Sequence, residues 1–432
     1  MKGTPVKVLS VCTSDSYGGA ARAAYRIHLS QRNSNISSRM LVKYKSVDDP
    51  SVYALDSFLP HNALYKSLQW ITAKIENKMQ QSRWMPYTQR EDVFMSDLRG
   101  CDLHSVLKRI DYDILHLHWI NQRFIPISQL PKDKPIIWTL HDSWPFCGIC
   151  HYFLECNRYT THCGQCPFLH STNENDLSHK IWKKKLRVYK DLDLHIVTPS
   201  QWLGDCAKRS VLLGRFPMKV IPNCLDSDIF RPLEESELSP RWRTLINRTN
   251  GKRIILFGAI NATRDKIKGY SQLISSIQYL EQRMDTNNIA IVVFGANSSD
   301  MDIQTAIPIH YVGYINNNDD LVSLYNIADV MIVPSLTEVF AQTASEALSC
   351  GVPTVAFRCT GIQETINHKI NGYTAEPFDP ADFATGILWC LNNNDNNKLG
   401  KAGREKALKN YSSAVVGKQY EQLYLSVYNE SR

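Results

Sequence analysis

The chain has 432 residues, of which 43% are hydrophobic and 21% charged, a composition typical of a globular protein with more than one core. It contains no run of about eighteen apolar residues, and its first residues lack the apolar core of a signal peptide. A membrane-spanning or secreted protein is therefore not expected. Twelve cysteines without a secretion signal favour a reducing compartment, so we expect a cytoplasmic protein.

The net charge of +7 is unevenly distributed along the chain. Residues 1–222 contain 30 Lys and Arg against 19 Asp and Glu, a balance of +11. The remaining 210 residues contain 19 against 23, a balance of −4. The basic half predicts an anionic partner such as phospholipid, a lipid pyrophosphate or nucleic acid, although a basic surface without a partner is an equally simple interpretation.

Short apolar, β-branched runs alternate with helical patterns along the whole chain. The runs are residues 6–11, 113–119, 135–140, 194–200, 253–259, 289–295, 308–314, 329–335 and 352–357. Strands of this kind are buried on both faces, and the helices between them make the sheet parallel. The predicted fold class is α/β, with two successive doubly wound, Rossmann-like domains.

Two segments predict basic helices in the first half. In residues 63–79, Leu64, Leu68, Ile71, Ile75 and Met79 share one helical face, and Lys66, Lys74 and Lys78 lie off that face. A helix of this kind either docks on its own domain, which is the simpler expectation, or lies on a membrane surface. Residues 182–190, WKKKLRVYK, have the same two interpretations.

The domain boundary is predicted near residues 221–232, IPNCLDSDIFRP, where two prolines interrupt the pattern. Residues 1–222 then form an N-terminal domain with a cysteine-rich loop at 141–167. Residues 223–409 form the second domain, and residues 410–432 a closing helix that we expect to pack back on the first.

The segment EVFAQTASEALSCGVPTVAF (338–357) carries the strongest chemical signal, because it follows a predicted strand directly. A helix that begins there presents backbone N–H groups to an anion such as phosphate. Glu338 in the loop and Glu346 on the helix can border one crevice at the end of the strand. Alternatively, Glu338 caps the helix and Glu346 is solvated.

The order of these features resembles that of the family-4 retaining glycosyltransferases. The resemblance extends over nearly the whole chain, through VCTSDSYGGAARAAYRIH (11–28), HLHW (116–119), TPSQW (198–202), IPNCLDSDIF (221–230), RDKIKG (264–269) and LYNIADVMIVPS (324–335). It implies the GT-B architecture, in which two Rossmann-like domains face a central cleft. The second domain would bind a nucleoside diphosphate sugar, and the first would face the acceptor.

The resemblance also implies roles for residues of the second domain. Glu346 matches the carboxylate that binds the donor ribose, and Glu338 matches the one beside the transferred sugar. Lys268 matches the lysine that neutralises the leaving diphosphate, with Arg264 or Lys266 as the second cation. Backbone N–H groups of Phe340, Ala341 and Gln342 would also face the donor.

In the first domain, Gly18 and Gly19 match the loop whose backbone approaches the diphosphate, where a Cβ would obstruct. His118 matches the active-site histidine that contacts the donor sugar. His116 lies two residues earlier on the same strand, so one of the two could face the site while the other packs. His141 and Asp142 follow another strand, where they could fix an acceptor or order the loop.

Residues 147–166 read CGICHYFLECNRYTTHCGQC, with five cysteines and two histidines. Their spacing favours a structural zinc with thiolate ligands, and free thiols or disulfides are the alternatives. A subgroup of the resembling glycosyltransferases, from bacterial polysaccharide synthesis, has cysteines at the positions of Cys150, Cys156, Cys163 and Cys166. The resemblance therefore implies these four as zinc ligands and leaves Cys147 as the spare.

The sequence thus predicts a retaining glycosyltransferase that needs no metal for catalysis. Its expected donor is a UDP- or GDP-sugar, and its acceptor a lipid-linked oligosaccharide of bacterial surface polysaccharide such as O-antigen, capsule or exopolysaccharide. Peripheral contact with the inner face of an anionic cytoplasmic membrane is expected, and nucleic acid is not. The alternatives are a sugar-phosphate synthase, a nucleotide-sugar epimerase and, remotely, a zinc-stabilised nucleic-acid-binding protein.

Overall fold

The computed structural model describes residues 5–32, 34–60, 62–91, 100–101, 103–249, 251–258, 262–263, 265–283, 285–297 and 303–432. The chain divides into two compact units. Unit 1 consists of Met1–Pro199, Leu203–Ile221 and Lys418–Arg432, and unit 2 of Ser200–Trp202 and Pro222–Gly417. The change from unit 1 to unit 2 after Ile221 lies beside the boundary assigned from the sequence at residue 222.

A parallel sheet of seven strands forms the centre of unit 1. Its strands are β1 (Val6–Ser14), β2 (Ile36–Tyr44), β3 (Val52–Ala54), β4 (Ile114–Leu117), β5 (Ile136–Thr139), β6 (Leu194–Thr198) and β7 (Met218–Val220). Their order across the sheet is β3-β2-β1-β4-β5-β6-β7. The middle strands β4 and β5 are buried along their whole length, as their largely apolar runs predict.

A second parallel sheet, of six strands, forms the centre of unit 2. Its strands are β8 (Arg253–Gly258), β9 (Ile289–Phe294), β10 (Ile309–Gly313), β11 (Val330–Val333), β12 (Thr354–Phe357) and β13 (Gly372–Ala375). Their order is β10-β9-β8-β11-β12-β13. The predicted class of two Rossmann-like α/β domains is thereby confirmed.

The described residues form helices that alternate with these strands along the chain. In chain order they are α1 (Gly19–Ser30), α2 (Ala63–Trp84), α3 (His104–Leu107), α4 (Leu177–Tyr189), α5 (Gln201–Arg209), α6 (Pro240–Arg248), α7 (Tyr270–Arg283), α8 (Asn318–Asn326), α9 (Gln342–Ser349), α10 (Pro380–Asn392), α11 (Lys398–Asn410) and α12 (Ser413–Glu430). None of those that are described is long and apolar enough to cross a membrane.

Local sequence explains where several helices begin. The Asp176 side chain accepts the N–H of His179 at the start of α4, and Asn317 does the same for Asp320 at the start of α8. Asp379 caps α10 at two N–H groups, and Pro380 stands at the first turn, where its missing N–H is not needed.

Helix α2 differs from the simpler expectation drawn from its sequence. Ile71, Ile75 and Met79, which should have docked on the domain, are exposed. Leu64 and Leu68, assigned to the same face, lie outside the side chains that the structure describes. For the described part of this face, the expectation of packing against the domain is therefore wrong.

The last helix supplies a buried polar contact to the sheet of unit 1. The Tyr424 hydroxyl lies 2.8 Å from Nδ1 of His116, and the Tyr420 hydroxyl lies 3.0 Å from Oγ1 of Thr139. Thr139 Oγ1 also contacts Nε2 of His116 at 2.8 Å. These contacts satisfy polar groups that burial would otherwise leave unpaired. The C-terminal segment Lys418–Arg432 accordingly belongs to unit 1.

Each sheet reverses its strand order once. In unit 1 the chain proceeds from β1 outward to β3 and then returns to the other side of β1 at β4. In unit 2 the same reversal places β11 beside β8. At such a point the loops after the two neighbouring strands diverge to opposite faces and leave a crevice, which is where open α/β sheets bind ligands.

Candidate functional site

In unit 2, the loops after β8 and β11 bring Lys268 and Glu338 together. The ammonium Nζ of Lys268 lies 2.6 Å from Oε1 of Glu338. The hydroxyl of Ser335 donates to the same oxygen at 3.2 Å. The side chains of Lys268 and Glu338 are 31% and 18% exposed, so the pair is partly shielded from solvent.

The electrostatics of this site favour the charged form of Lys268. Burial disfavours the charge on Lys268, but the neighbouring Glu338 carboxylate outweighs that effect and raises the pKa of the ammonium above its ordinary value. Lys268 therefore presents a fixed positive charge at neutral pH. One of its three N–H bonds is directed to Glu338, and an ammonium can offer the others to an anion.

Backbone contacts fix the positions of these two loops relative to each other. The N–H of Leu336 donates to the carbonyl of Ile267 at 2.7 Å, which ties the loop of Glu338 to the turn of Lys268. Gly269 ends that turn with φ of 69°, and a Cβ there would lie 1.9 Å from the carbonyl oxygen of Pro334. Only glycine satisfies both the left-handed backbone and this close approach.

The backbone of Glu338 is also fixed from a third strand. Its N–H donates to Oγ1 of Thr360 at 3.0 Å, and its carbonyl accepts the N–H of Gly361 at 2.9 Å. Thr360 and Gly361 follow β12, the neighbour of β11. Sequence reasoning missed Ser335 and Thr360, because these contacts join residues whose partners only the fold brings near.

Helix α9 begins immediately after this loop. Its N-cap residue, Ala341, has an extended backbone and makes no side-chain cap, and Gln342 is the first helical residue. The first amides of a helix without a side-chain cap can bind an anion or water. Phe340 is buried and packs edge-on against Tyr411 with ring centres 5.3 Å apart, so it anchors the loop.

Glu346 lies on α9 and is only 2% exposed, which rules out the interpretation of a solvated carboxylate. The hydroxyl of Tyr325 on α8 donates to its Oε2 at 2.9 Å. Burial of a carboxylate is costly unless it is hydrogen-bonded, and this contact offsets part of that cost. Tyr325 was not singled out from the sequence, although it lies in the segment 324–335 noted above.

Arg264 and Lys266 are the two candidates for the second cation at the diphosphate, and the structure describes only Lys266. Arg264 lies outside the described residues. Lys266 is exposed in the short 3-10 helix Lys266–Lys268, which Asp265 caps through the N–H of Ile267. The choice between Arg264 and Lys266 therefore stays open.

In unit 1, the loops after β1, β4 and β5 carry the other predicted site residues. Gly18 has φ of 89° and is the N-cap of α1, which begins at Gly19 without a side-chain cap. A Cβ at Gly18 would meet no protein atom within 4 Å. Within the protein the requirement for glycine at this position therefore comes from the left-handed backbone rather than from crowding.

His118 follows β4 and contacts His141, which follows β5. Nδ1 of His118 lies 3.0 Å from Nε2 of His141, so one ring donates its N–H and the other accepts. Burial lowers the pKa of His118 well below its ordinary value and that of His141 to about 4, so both rings are neutral at pH 7. Nε2 of His118 has no hydrogen-bond partner in the described part of the chain.

The two histidines at the end of β4 have different environments, which is one of the arrangements expected from the sequence. The imidazole of His116 is buried, and both of its nitrogens are used within unit 1 by Tyr424 and Thr139. Its ring centre is 4.1 Å from that of His118. His116 is thus a packing residue, whereas His118 and His141 form the pair at the end of the sheet.

Asp142 orders its own loop. Its Oδ2 accepts N–H bonds from Trp119 at 2.8 Å and from His151 at 2.5 Å, and its Oδ1 accepts the N–H of Trp144 at 2.9 Å. Burial works against ionisation, but contact with His151 and these N–H donors outweighs it and lowers the pKa of the carboxyl. Of its two predicted roles, this arrangement favours loop ordering.

The cysteine-rich loop packs around a buried lysine. Lys185 on α4 is fully buried, and its ammonium donates to the carbonyls of Trp144, Cys147 and Gly148 while lying 3.7 Å from the Trp144 ring centre. Burial lowers the pKa of Lys185 to about 7, an effect that the nearby cysteines oppose. In the sequence, Lys185 is recognisable only as part of a basic helix.

The predicted zinc ligands occupy this region as free cysteines. Cys150, Cys163 and Cys166 are buried, and Cys156 is half-buried. Burial raises the pKa of Cys163 and of Cys166 to about 12 in the protein without a metal. Four cysteines are a donor set that zinc prefers, yet the described residues hold no group of three or more His, Cys, Asp or Glu arranged to bind a metal. The zinc stays a prediction from the sequence.

The tie between the two loops of unit 2 can be tested at Gly269. Gly269→Ala should lower the free energy of unfolding by several kcal/mol, because it adds a clash with Pro334 to the strain of a left-handed residue. Gly251→Ala is the matched control, since Gly251 has φ of 70° but open space around it, and should cost only about 1–2 kcal/mol. Equal losses in urea denaturation would contradict the close approach.

The metal content of purified protein tests the cysteine loop. If Cys150, Cys156, Cys163 and Cys166 bind structural zinc, the protein should contain about one equivalent by plasma emission spectrometry. Cys147→Ser should leave that value unchanged, whereas Cys163→Ser should reduce it. Protein that contains no zinc after purification without chelators would contradict the prediction.

Models of two protein families match this chain. The model described as Glycosyltransferase Family 4 matches residues 80–229, and the one described as Glycosyl transferases group 1 matches residues 243–406. Among curated proteins, WcaC of Escherichia coli K12, a glycosyl transferase assigned to colanic acid biosynthesis, is 25% identical over 275 residues. That alignment spans 61% of this chain and 63% of WcaC, so it covers less than two thirds of either protein.

Solved structures match over nearly the full length. Sucrose-phosphate synthase from Thermosynechococcus elongatus has a TM-score of 0.62 at 16% identity, with 98% of this chain and 100% of that chain covered. Anabaena HepE, solved in complex with UDP and glucose, has a TM-score of 0.61 at 15% identity with the same coverage. At these identities the likeness establishes the GT-B fold.

Proposed function

We propose that this chain, a glycosyltransferase with group 1 and family 4 domains, transfers a sugar from a nucleoside diphosphate sugar with retention of configuration and without a catalytic metal. We take UDP- or GDP-sugar as the donor and a lipid-linked oligosaccharide of bacterial surface polysaccharide as the acceptor. The likeness to WcaC, a glycosyl transferase of colanic acid biosynthesis, supports a role in surface polysaccharide synthesis. HepE, which shares the fold, is solved with UDP bound, in keeping with a UDP-sugar donor.

The observation that carries the proposal is the half-buried pair of Lys268 and Glu338 at the strand reversal of unit 2. Departure of a nucleoside diphosphate develops negative charge on a phosphate oxygen, and a fixed cation beside it lowers the barrier. Lys268 is such a cation. The first amides of α9 lie directly after the Glu338 loop and can receive the other phosphate oxygens.

The carboxylates then have separate tasks. Glu338, held by Lys268 and Ser335, stabilises positive charge that develops on the sugar ring. It also accepts a hydrogen bond from a hydroxyl of that ring. Glu346, held by Tyr325, accepts hydrogen bonds from the ribose hydroxyls of the donor. With same-face attack, the leaving phosphate takes the proton of the acceptor hydroxyl, so no protein side chain serves as a covalent nucleophile.

In unit 1, His118 is the residue proposed to bind a hydroxyl of the donor sugar. Because burial keeps its ring neutral, it can serve as a hydrogen-bond partner of a hydroxyl rather than as a cation. His141 occupies Nδ1 of His118, so Nε2 would be the atom that bonds to the sugar hydroxyl. Gly18 and Gly19, at the uncapped N-terminus of α1, would approach the diphosphate through their backbone.

A donor panel tests the activity. Purified protein should hydrolyse one UDP- or GDP-sugar slowly and release the diphosphate faster when a lipid-linked oligosaccharide extract is added. Fructose 6-phosphate is included as a second acceptor, because the same fold occurs in a sucrose-phosphate synthase. Faster diphosphate release with the sugar phosphate alone would favour a sugar-phosphate synthase. Conversion of the donor sugar without diphosphate release would favour an epimerase. No release from any donor would refute the transferase.

Substitutions in unit 2 test the separate roles. Lys268→Met and Glu338→Ala should each lower kcat about 10²- to 10³-fold, because each removes a group aimed at developing charge. Glu346→Gln should instead raise the dissociation constant of the donor, roughly tenfold to a hundredfold. Lys401→Met, on the exposed side of α11, is the charge-matched control and should leave both constants unchanged.

The two readouts are kinetic analysis with the preferred donor and calorimetric titration of the nucleoside diphosphate. Thermal unfolding of every variant shows whether it is folded. Wild-type kinetics in all three folded variants would place the donor site elsewhere.

A further inference from the structure

A large part of the exposed apolar surface of unit 1 lies on one helix. On α2, Trp70, Ile71, Ile75 and Met79 are 61%, 46%, 56% and 51% exposed, and Met85 follows directly after the helix at 69%. Single exposed apolar residues are common on soluble proteins, but a contiguous patch of this kind marks an interaction surface.

The patch has an order that follows from helical geometry. Ile71, Ile75 and Met79 are spaced by four residues and form one row along α2. Trp70, Lys74 and Lys78 form the adjacent row, and each of these side chains is exposed as well. The helix therefore presents an aliphatic row flanked by an aromatic and basic row.

Charge identifies the partner. Within Ala63–Trp84 the sequence has four basic residues, Lys66, Lys74, Lys78 and Arg83, against one acidic residue, Glu76, a balance of +3. The Lys74 ammonium lies 3.8 Å from the ring centre of Trp70, so the cation and the aromatic ring form one amphipathic group. Tryptophan and lysine of this kind are favoured at the boundary between lipid headgroups and acyl chains.

We infer that α2 lies flat in the headgroup region of an anionic bilayer. Ile71, Ile75 and Met79 enter the acyl boundary, while Lys74 and Lys78 contact lipid phosphates. A nucleic acid would satisfy the lysines but leave the aliphatic row in water. The inference rests on the lipid-linked acceptor of the proposed function, since α2 would hold the enzyme at the surface where that acceptor is embedded.

The aliphatic row and the basic row of α2 contribute to the free energy of membrane binding in different ways. Each basic residue near an anionic surface adds roughly fivefold to the partition coefficient, and salt weakens that contribution. Burial of the aliphatic row adds a term that salt does not weaken. An anionic membrane should therefore be bound far more strongly than a neutral one, and removal of either row should reduce binding in its own way.

Flotation of the full-length protein with vesicles tests the inference. One set of vesicles is neutral phosphatidylcholine, and the other contains about one third phosphatidylglycerol. Wild-type protein should float with the anionic vesicles and bind neutral ones at least tenfold more weakly. The pair Lys74→Gln and Lys78→Gln should reduce anionic binding roughly tenfold or more and weaken its salt dependence.

The triple variant Ile71→Ser, Ile75→Ser and Met79→Ser should also lose binding, while the salt dependence of the remainder persists. Matched controls are Ile370→Ser, which removes an equally exposed isoleucine in unit 2, and the pair Lys398→Gln and Lys401→Gln on α11. Both controls should bind as the wild type does. Thermal unfolding confirms that each variant is folded.

Other outcomes overturn the inference. Equal binding by the α2 variants and the wild type would place the membrane contact elsewhere, as on Lys183 and Lys184 of α4. Absence of vesicle binding, together with a dimer in sedimentation velocity that the triple variant abolishes, would identify a second copy as the occupant. Donor hydrolysis, measured on the same preparations without lipid, separates failure of this inference from failure of the proposed function.

Discussion

The reversal of strand order in each sheet is the constraint on which the candidate site depends. Because β4 returns beside β1, and β11 beside β8, loops that are distant in sequence emerge next to each other. In unit 2 this brings together Lys268 and Glu338, seventy residues apart. In unit 1 it places the turn at Gly18 and the His118–His141 pair at the ends of neighbouring strands.

The Lys268–Glu338 pair shows how a partly shielded position at a strand reversal affects the charge of a side chain. Full burial would penalise both charges, and full exposure would screen them. Here the pair is partly shielded, and the pKa of Lys268 is raised because the carboxylate outweighs burial. A cation held in this way needs little rearrangement when a phosphate oxygen gains charge, which is the condition for electrostatic catalysis.

Much of the fold could be predicted from the sequence, because strands buried on both faces leave uninterrupted apolar runs. Each of the nine predicted runs overlaps a strand of the structure. The missed strands have other patterns: β2 is ISSRMLVKY, with polar residues on its exposed positions, and β3 and β7 have only three residues each. Strand β13, GYTA, is short and begins with glycine.

The site was less predictable, and the reason is physical. Glu338, Glu346, Lys268 and His118 stand in recognisable local patterns. The supporting residues Ser335, Thr360 and Tyr325 act through contacts that depend on tertiary structure, so no local spacing reveals their function. His141 was a candidate from its place after a strand, but its contact with His118 is visible only in the fold. Helix α2 shows the converse: its periodicity identified an apolar row, but only the structure shows that the described part of that row is exposed.

Hydrogen–deuterium exchange with and without the preferred nucleoside diphosphate tests the central claim most directly. The account predicts slower exchange in residues 265–270 and in residues 335–349, where Lys268, the Glu338 loop and the first turn of α9 would contact the ligand. Saturating diphosphate that protects neither segment, or that protects only segments of unit 1, would contradict the assignment of the donor site to the strand reversal of unit 2.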